Sequence, residues 1–272
     1  MSAKPYFLSL NHRFTLDENL PALAALDERS LDLIKNAAGV LMPKYFSPVR
    51  YQKVLSLAKN HFPDLRTRYA CRGKAEQTRL LERNNIPHPR TEVFDTPDQA
   101  MRTMKTTGPQ FDYPFVLKGD RGGGGATVFL IESFEDLEVK LAQLPQDQPV
   151  LVQELIDHGG QDLRVVLMGR EVFSYFRVGN GSFYNNVSKG ARIEPDIHPE
   201  KQRTGQSLAL DLARTANIDL AGFDILFPVR GRALVLEINF LFGKKGLGGL
   251  KGYNRMYRRA VYDWIRRVKS GL

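Results

Sequence analysis

Leu234-Val235-Leu236-Glu237-Ile238-Asn239 is the stretch that decides the fold, because an apolar run ends there in two polar side chains. An earlier apolar run, Ala221-Gly222-Phe223-Asp224-Ile225-Leu226-Phe227, carries one acid. Because side chains alternate between faces along a strand, Glu237 and Asn239 point the same way. With Asp224 they would place three oxygen ligands at one end of a sheet. Such oxygens suit Mg²⁺, and a buried acid is costly unless it is paired or bound to metal. We therefore expect a nucleotide–Mg²⁺ site, although Glu-x-Asn alone fits two polar edge-strand residues at a loop better.

The bulk composition is that of an ordinary globular protein. The chain has 272 residues, enough for one large domain or two to three small ones, and 42% of them are hydrophobic against 25% charged. Its apolar runs stay below the roughly 18 residues of a membrane span, and its basic start contains no signal-peptide core. The single cysteine, Cys71, excludes an internal disulfide and a cysteine-based zinc site. We expect a cytoplasmic protein.

The charge balance is basic. Lys and Arg number 39 and acids 30, which gives a formal net charge of +9. This excess favours a polyanionic partner, whether nucleotide, nucleic acid or acidic peptide. The C-terminal cations fit a solvated helix face equally well. They are Arg255, Arg258, Arg259, Arg266, Arg267 and Lys269.

Strand-like and helix-like segments are mixed along the chain. We expect residues 1–65 to form a short α/β domain, 66–145 a first α+β subdomain, and 146–272 a second one that includes the basic helix. The polar stretch Gln146-Asp147-Gln148-Pro149 marks the last boundary, just before the predicted strand Val150–Glu154. Hairpins, rather than strict βαβ alternation, favour the α+β class. A glycine-rich loop over 243–252 is expected to precede a terminal helix over 254–269.

The segment Lys118-Gly119-Asp120-Arg121-Gly122-Gly123-Gly124-Gly125 has the composition of a phosphate loop. Consecutive glycines let the backbone approach phosphate and aim N–H groups at it, and Lys118 adds a point charge. A strand follows, so the segment is neither a Walker A loop nor a dinucleotide fingerprint. On its own it fits a flexible hairpin at least as well.

Other candidates are weaker singly. Gln153-Glu154 interrupts an apolar strand, where backbone groups could pair with a purine edge. Asp162, Arg164 and Arg177 lie on neighbouring strand candidates. Arg177 and Lys189 could neutralise a γ-phosphate, although isolated cations are usually surface residues. The five histidines show no metal spacing and no Ser-His-Asp elbow occurs, which argues against zinc chemistry and nucleophilic hydrolysis.

Taken in order, these motifs resemble the ATP-grasp superfamily, and specifically the RimK-type carboxylate–amine ligases, whose ATP-binding fold is glutathione synthetase-like. The resemblance runs from about Arg72 to Ile265. It includes Arg72-Gly73-Lys74 before a helix, Tyr113–Lys118 as a lysine strand, and Val152–Ile156 as an adenine hinge. It continues through Asp162-Leu163-Arg164, Phe183–Gly190, Leu220–Leu226 and Leu236–Asn239.

The resemblance implies two α+β subdomains that grasp ATP behind the short N-terminal domain. It implies a ligase in which a carboxylate takes the γ-phosphate of ATP to give an acyl phosphate, and an amine then displaces phosphate. By this resemblance the metal ligands are Asp224, Glu237 and Asn239, holding Mg²⁺ or in its place Mn²⁺, and the catalytic residues are Arg177, Asn186 and Lys189. The implied ATP-binding residues are Lys74, Lys118, Gly122, Gly123, Gly124, Gly125, Gln153, Glu154, Leu155, Asp162 and Arg164.

The chain departs from the family pattern just after Asn239, where Phe240-Leu241-Phe242-Gly243 replaces a Ser-Pro-Gly-like turn. This difference concerns the substrates, which we expect to be an acidic carboxylate, small or peptidic, and an amine. A non-catalytic ATP-binding module that docks an anionic partner through the basic C-terminal helix is the alternative. Only the net charge supports a nucleic-acid binder. No membrane partner is expected, and a homo-oligomer is compatible with the sequence.

Overall fold

The computed structural model describes residues 5–20, 26–123, 125–179 and 190–271. A small parallel sheet, in the order β2-β1-β3-β4, forms the N-terminal domain. Asp27 and Ser47 cap its first two helices with their side chains, and Pro48 occupies the first turn of the second. The elements are β1 (Phe7–Ser9), β2 (Glu18–Asn19), α1 (Glu28–Asn36), β3 (Gly39–Leu41), α2 (Pro48–Leu55), β4 (His61–Phe62) and α3 (Arg66–Ala70).

A second, antiparallel sheet carries the glycine turn. It comprises β5 (Thr91–Phe94), β6 (Phe115–Gly119), β7 (Val128–Ile131) and β8 (Val150–Glu154), with α4 (Lys74–Arg83), α5 (Pro97–Thr107) and α6 (Phe134–Ala142) in the same region. The strand order is β5-β8-β6-β7, so β8 is an interior strand that pairs with β5 and β6. The boundary expected after residue 145 therefore falls inside this sheet, which extends to Glu154.

The third sheet is the largest and is antiparallel, in the order β11-β10-β9-β12-β13. Its strands are β9 (Gln161–Met168), β10 (Glu171–Val178), β11 (Arg192–Glu194), β12 (Leu220–Leu226) and β13 (Leu234–Asn239), and α7 spans Pro199–Thr215. Leu163 and Phe223 of this sheet pack with Leu81 of α4 and Leu212 of α7, so these two helices cover one face. The mixture of helices and antiparallel sheets confirms the α+β class.

The terminal helix α8 (Gly249–Ser270) covers the other face. Its Tyr257 and Trp264 pack against Met168 of the large sheet and Phe62 of the N-terminal sheet, which joins the two. None of the described helices is long and apolar enough to span a membrane.

The helix α8 begins at Gly249, five residues earlier than the sequence predicts. The expectation of a loop through residue 252 is wrong for its last part, because the glycine there serves close packing instead of flexibility. A Cβ built on Gly252 would lie 1.6 Å from the carbonyl oxygen of Leu247, so only glycine fits this first helical turn.

Candidate active site

A cleft of about 190 Å³ lies where the second and third sheets meet. Fourteen residues predicted from the sequence line it: Lys74, Lys118, Gly122, Gly123, Gly125, Gln153, Glu154, Leu155, Asp162, Arg164, Arg177, Asp224, Glu237 and Asn239. Three further predicted residues, Gly124, Asn186 and Lys189, lie outside the described residues. Motifs that lie far apart in the sequence are thus brought together by the fold on one concave surface.

Two of the predicted lysines line the cleft. Lys74, at the start of α4, donates from Nζ to the carbonyl oxygens of Gly119 at 3.1 Å and Gly122 at 3.3 Å. Lys118 is buried at the end of β6 and donates from Nζ to Gln153 Oε1 at 2.6 Å. Burial lowers the pKa of Lys74, and lowers that of Lys118 to about 8. An ammonium group held in low dielectric gains from a phosphate partner, because the charge is otherwise poorly solvated.

A buried quartet of two arginines and two aspartates forms the floor of the cleft. Asp162 and Arg164 share a face of β9, and the register sets them opposite Arg177 of β10 and Asp224 of β12 respectively. Arg177 donates to Asp162 from Nε at 2.6 Å and from Nη2 at 2.9 Å, and its Nη2 lies 3.1 Å from Asp224 Oδ1.

Arg164 completes this quartet. It donates to both Asp224 oxygens, from Nε to Oδ1 and from Nη2 to Oδ2 at 3.0 Å. Burial by itself would raise the pKa of Asp224, but the Arg164 and Arg177 guanidinium groups hold it below its ordinary range. Asp224 is therefore an ionised carboxylate with both oxygens in charge-assisted hydrogen bonds.

The oxygen donors of the predicted metal site come together on the neighbouring antiparallel strands β12 and β13. Asp224 lies opposite Glu237 and Gly222 opposite Asn239 in the register, and Asn239 Nδ2 donates to Asp224 Oδ2 at 3.1 Å. Burial, followed by the nearby Asp224 carboxylate, raises the pKa of Glu237.

The carboxylate and amide oxygens of these residues are of the type that Mg²⁺ takes as ligands. The Glu237 carboxylate forms no hydrogen bond or ion pair within the described part of the chain. In the same part, no three His, Cys, Asp or Glu side chains are grouped closely enough to hold a metal by themselves. The donor set therefore suits an ion that takes its remaining oxygens from a ligand, as Mg²⁺ does with phosphates.

Glu154 and Leu155, where the sequence predicts an adenine hinge, lie at one end of the cleft. The Glu154 carboxylate pairs with Arg90 at 2.8 Å, and the Glu154 N–H donates to the Arg90 carbonyl at 3.0 Å. The carboxylate and the N–H of Glu154 are therefore both engaged by Arg90. Apolar side chains from several elements line this end, namely Val116, Val128, Leu151, Ile156, Leu226 and Leu236.

Some lining residues were missed by sequence reasoning. Leu226 follows Asp224 by two positions, so strand alternation alone could have placed it on the same face. Gln77 of α4 donates from Nε2 to the Ile238 carbonyl at 2.9 Å and accepts from the Ile238 N–H at 3.0 Å, which fixes α4 to β13. This contact joins residues 161 positions apart, and no local pattern indicates it.

Residues 71–255 match the RimK-like ATP-grasp domain. Ribosomal protein bS6–L-glutamate ligase of Escherichia fergusonii is 32% identical over 201 residues, which are 72% of this chain and 64% of that protein. A probable alpha-L-glutamate ligase of an Enterobacter species is 30% identical over 203 residues with the same two coverages. The match therefore spans just under two thirds of the length of these relatives.

Solved structures agree on the fold. VanG D-Ala:D-Ser ligase from Enterococcus faecalis superposes with a TM-score of 0.64 at 17% identity, over 84% of this chain and 73% of that one. A RimK domain ATP-grasp protein from Sphaerobacter thermophilus gives 0.62 at 17% identity, over 94% and 98%. The resemblance inferred from the motifs is confirmed, and the chain belongs to the RimK-like ATP-grasp family.

Proposed function

We propose that this protein is an ATP- and Mg²⁺-dependent ligase that joins a carboxylate to an amine through an acyl phosphate. The observation that carries the proposal is the convergence in one cleft of four cations with the oxygen cluster of Asp224, Glu237 and Asn239. Four carboxylates line the cleft, and one of them, Glu154, is paired with Arg90. The other three, those of Asp162, Asp224 and Glu237, are set against four cations, Lys74, Lys118, Arg164 and Arg177, which leaves one positive charge. A polyphosphate is the ligand that this balance favours.

Different groups of residues along the cleft would have different roles in the reaction. Lys74 and Lys118 would bind the phosphates, and the turn over 122–125 would cover them and exclude water, which otherwise hydrolyses an acyl phosphate. Asp224, Glu237 and Asn239 would hold Mg²⁺, which neutralises phosphate charge when bound. Arg164 and Arg177 are held in place by Asp162 and Asp224, and in this proposal they would lie beside the reacting groups. Such preorganised charge stabilises a developing anion.

The chemistry balances in two steps. A substrate carboxylate oxygen attacks the γ-phosphorus, the bond to the ADP oxygen breaks, and ADP leaves. The amine nitrogen then attacks the acyl carbon, phosphate leaves with the carboxylate oxygen, and the nitrogen loses a proton. Asn186 and Lys189 are part of the same proposal, as groups that would stabilise the charge of the acyl phosphate.

The choice of substrates rests on the relatives. Their names contain L-glutamate and, in one case, ribosomal protein bS6. We therefore take glutamate as the first amino acid to test as amine, with acidic peptides as the first carboxylates. We also propose a cytoplasmic location.

The alternative, a non-catalytic module that docks through α8, has less support. Three of the seven exposed cations of that helix already pair with acids of the chain, Arg266 and Arg267 with Asp263 and Arg259 with Glu171. The opposite face of α8 is part of the hydrophobic core. The helix thus has a structural role that explains its amphipathic pattern without a partner.

ADP release tests the proposal. Purified protein with Mg²⁺ and ATP is assayed against pools of carboxylates and amines, and product masses are measured. We expect ADP release that needs both substrates and is lost in Glu237→Gln. Glu82→Gln is the matched control, since Glu82 lies on the exposed face of α4 outside the cleft. Absence of ADP release with every pool, or full activity in Glu237→Gln, would contradict the proposal.

A further inference from the structure

A second cavity, of about 610 Å³, lies between the N-terminal domain and the segment that follows β13. We call it the basic pocket. Its cations are Arg13, Lys44, Lys244, Lys245 and Arg258, and its lining residues include no aspartate or glutamate. It contains the glycine- and lysine-rich segment at which the family pattern stops.

The cations of the basic pocket face one another instead of acids. None of the five takes part in an ion pair within the residues that the structure describes. Lys44 Nζ lies 5.4 Å and Lys244 Nζ 4.7 Å from the centroid of the Tyr253 ring, so two ammonium groups share one aromatic side chain. Burial, and then Lys244, Arg68 and Arg13, lower the pKa of Lys44 to about 8. The fold thus holds like charges together, which is unfavourable without an anion between them.

The start of α8 adds to this field. Gly249 lines the pocket at the start of this helix of 22 residues, which has no side-chain cap, and the Gly249 N–H itself donates to the Lys244 carbonyl oxygen at 2.9 Å. The N-terminal N–H groups of a helix carry a partial positive charge and favour an anion. Phe242 and Tyr253 form apolar walls between the charges.

The basic pocket adjoins the candidate active site. Asn239 lines the cleft and Phe242 lines the pocket, and three residues span at most about 11 Å even when fully extended. A Cβ built on Gly222 would lie 3.2 Å from Phe242 Cβ and 3.3 Å from Arg164 Nη1. Phe242 of the basic pocket and Arg164 of the cleft therefore both lie next to the backbone of Gly222, which places the two cavities side by side.

We propose that the basic pocket binds the non-reacting carboxylates of a substrate that carries several carboxylates, such as an oligoglutamate peptide. The reacting carboxylate of the same molecule would then reach the phosphate end of the cleft. This inference rests on the proposed function for the reacting group, while anion binding in the pocket can be measured without turnover. Lys44 and Lys244 are the main ligands, supported by Arg13 and the N-terminus of α8.

Titration calorimetry with triglutamate tests the inference. At low ionic strength and neutral pH, the wild-type protein is expected to bind triglutamate and not the neutral triglutamine. Lys44→Gln and Lys244→Gln should each weaken binding by roughly tenfold, the factor that about 1.4 kcal/mol of a charge-assisted hydrogen bond gives. Lys251→Gln is the matched control, because it removes one charge from the first turns of α8 outside the pocket. ATP titrations of the same variants report whether they are folded.

Three results would overturn the inference: no triglutamate binding, equal binding of triglutamine, or triglutamate binding unchanged in both lysine variants. Binding of inorganic phosphate without triglutamate would also refute the carboxylate assignment. Failure of the two proposals can be told apart. ADP release with a monocarboxylate, together with no triglutamate binding, removes the pocket assignment alone. Lysine-dependent triglutamate binding without any ADP release supports the pocket and removes the ligase.

Discussion

The substitution Lys118→Met should stabilise the ligand-free protein while weakening ATP binding. Burial lowers the pKa of Lys118 from 10.5 to about 8. At about 1.36 kcal/mol per unit, keeping this lysine charged costs the folded state about 3 kcal/mol. Removal of the ammonium leaves Gln153 Oε1 without its donor at 2.6 Å, which costs about 1–2 kcal/mol. The expected net gain is about 1–2 kcal/mol, because the relief of desolvation exceeds the lost hydrogen bond.

The stability difference between Lys118→Met and the wild type should change with pH in a defined direction. Between pH 8 and 10.5 the unfolded chain binds more protons at Lys118 than the folded chain does, so the wild-type protein gains stability as pH rises through this window. The advantage of Lys118→Met should therefore be largest below pH 8 and should shrink towards pH 10.5. Urea unfolding of the wild type and the variant across this range measures it. Lys53→Met is the control, since Lys53 is exposed on α2.

A Lys118→Met protein that is less stable than the wild type, or whose advantage does not change with pH, would refute the desolvation argument. ATP affinity is a separate readout of the same variant. Unchanged affinity would show that the ammonium does not bind phosphate.

Two further predictions concern buried acids. Burial raises the pKa of Asp219, which accepts a hydrogen bond from the Asp64 N–H, to about 7. Between pH 4 and 7 the folded state therefore binds a proton that the unfolded state has lost, and the wild-type protein loses stability as pH rises through this window. The free energy of unfolding of Asp219→Asn relative to the wild type should thus increase across the window, by up to about 4 kcal/mol. A difference that does not change with pH would contradict this. Asp162→Ala removes a buried partner of Arg177 and should lower the free energy of unfolding by about 3 kcal/mol or more, measured by thermal or urea unfolding. The control Asp211→Ala removes one partner of an exposed ion pair and should lower it by less than about 1 kcal/mol. Equal losses would refute the argument from burial.

Much of the site could be predicted because its chemistry is encoded locally. Polar side chains in apolar strands are costly to bury unless they are paired or bound, which draws attention to Asp224, Glu237 and Asn239. The alternation of side chains along a strand then predicts that they share a face. Lys118 and the glycine turn stand out for the same reason. These residues line one cleft in the structure, while their roles in catalysis stay predictions.

The remaining features depend on contacts between distant parts of the chain. The strand β8 inserts between β5 and β6, so the polar joint at 146–149 is a loop before a paired strand and does not end the sheet. The pairing of Arg164 and Arg177 with aspartates follows from the register of three strands, which no single segment specifies. The same holds for the basic pocket, whose cations come from segments more than 190 residues apart, as with Lys44 and Lys244.

The fate of the carboxylate oxygen tests the acyl phosphate most directly. A carboxylate substrate labelled with oxygen-18 is incubated with the protein, ATP, Mg²⁺ and the amine, and the released phosphate is analysed by mass spectrometry. If the carboxylate attacks the γ-phosphorus, one labelled oxygen should appear in each phosphate formed with the amide product. Amide formation with unlabelled phosphate would contradict the account.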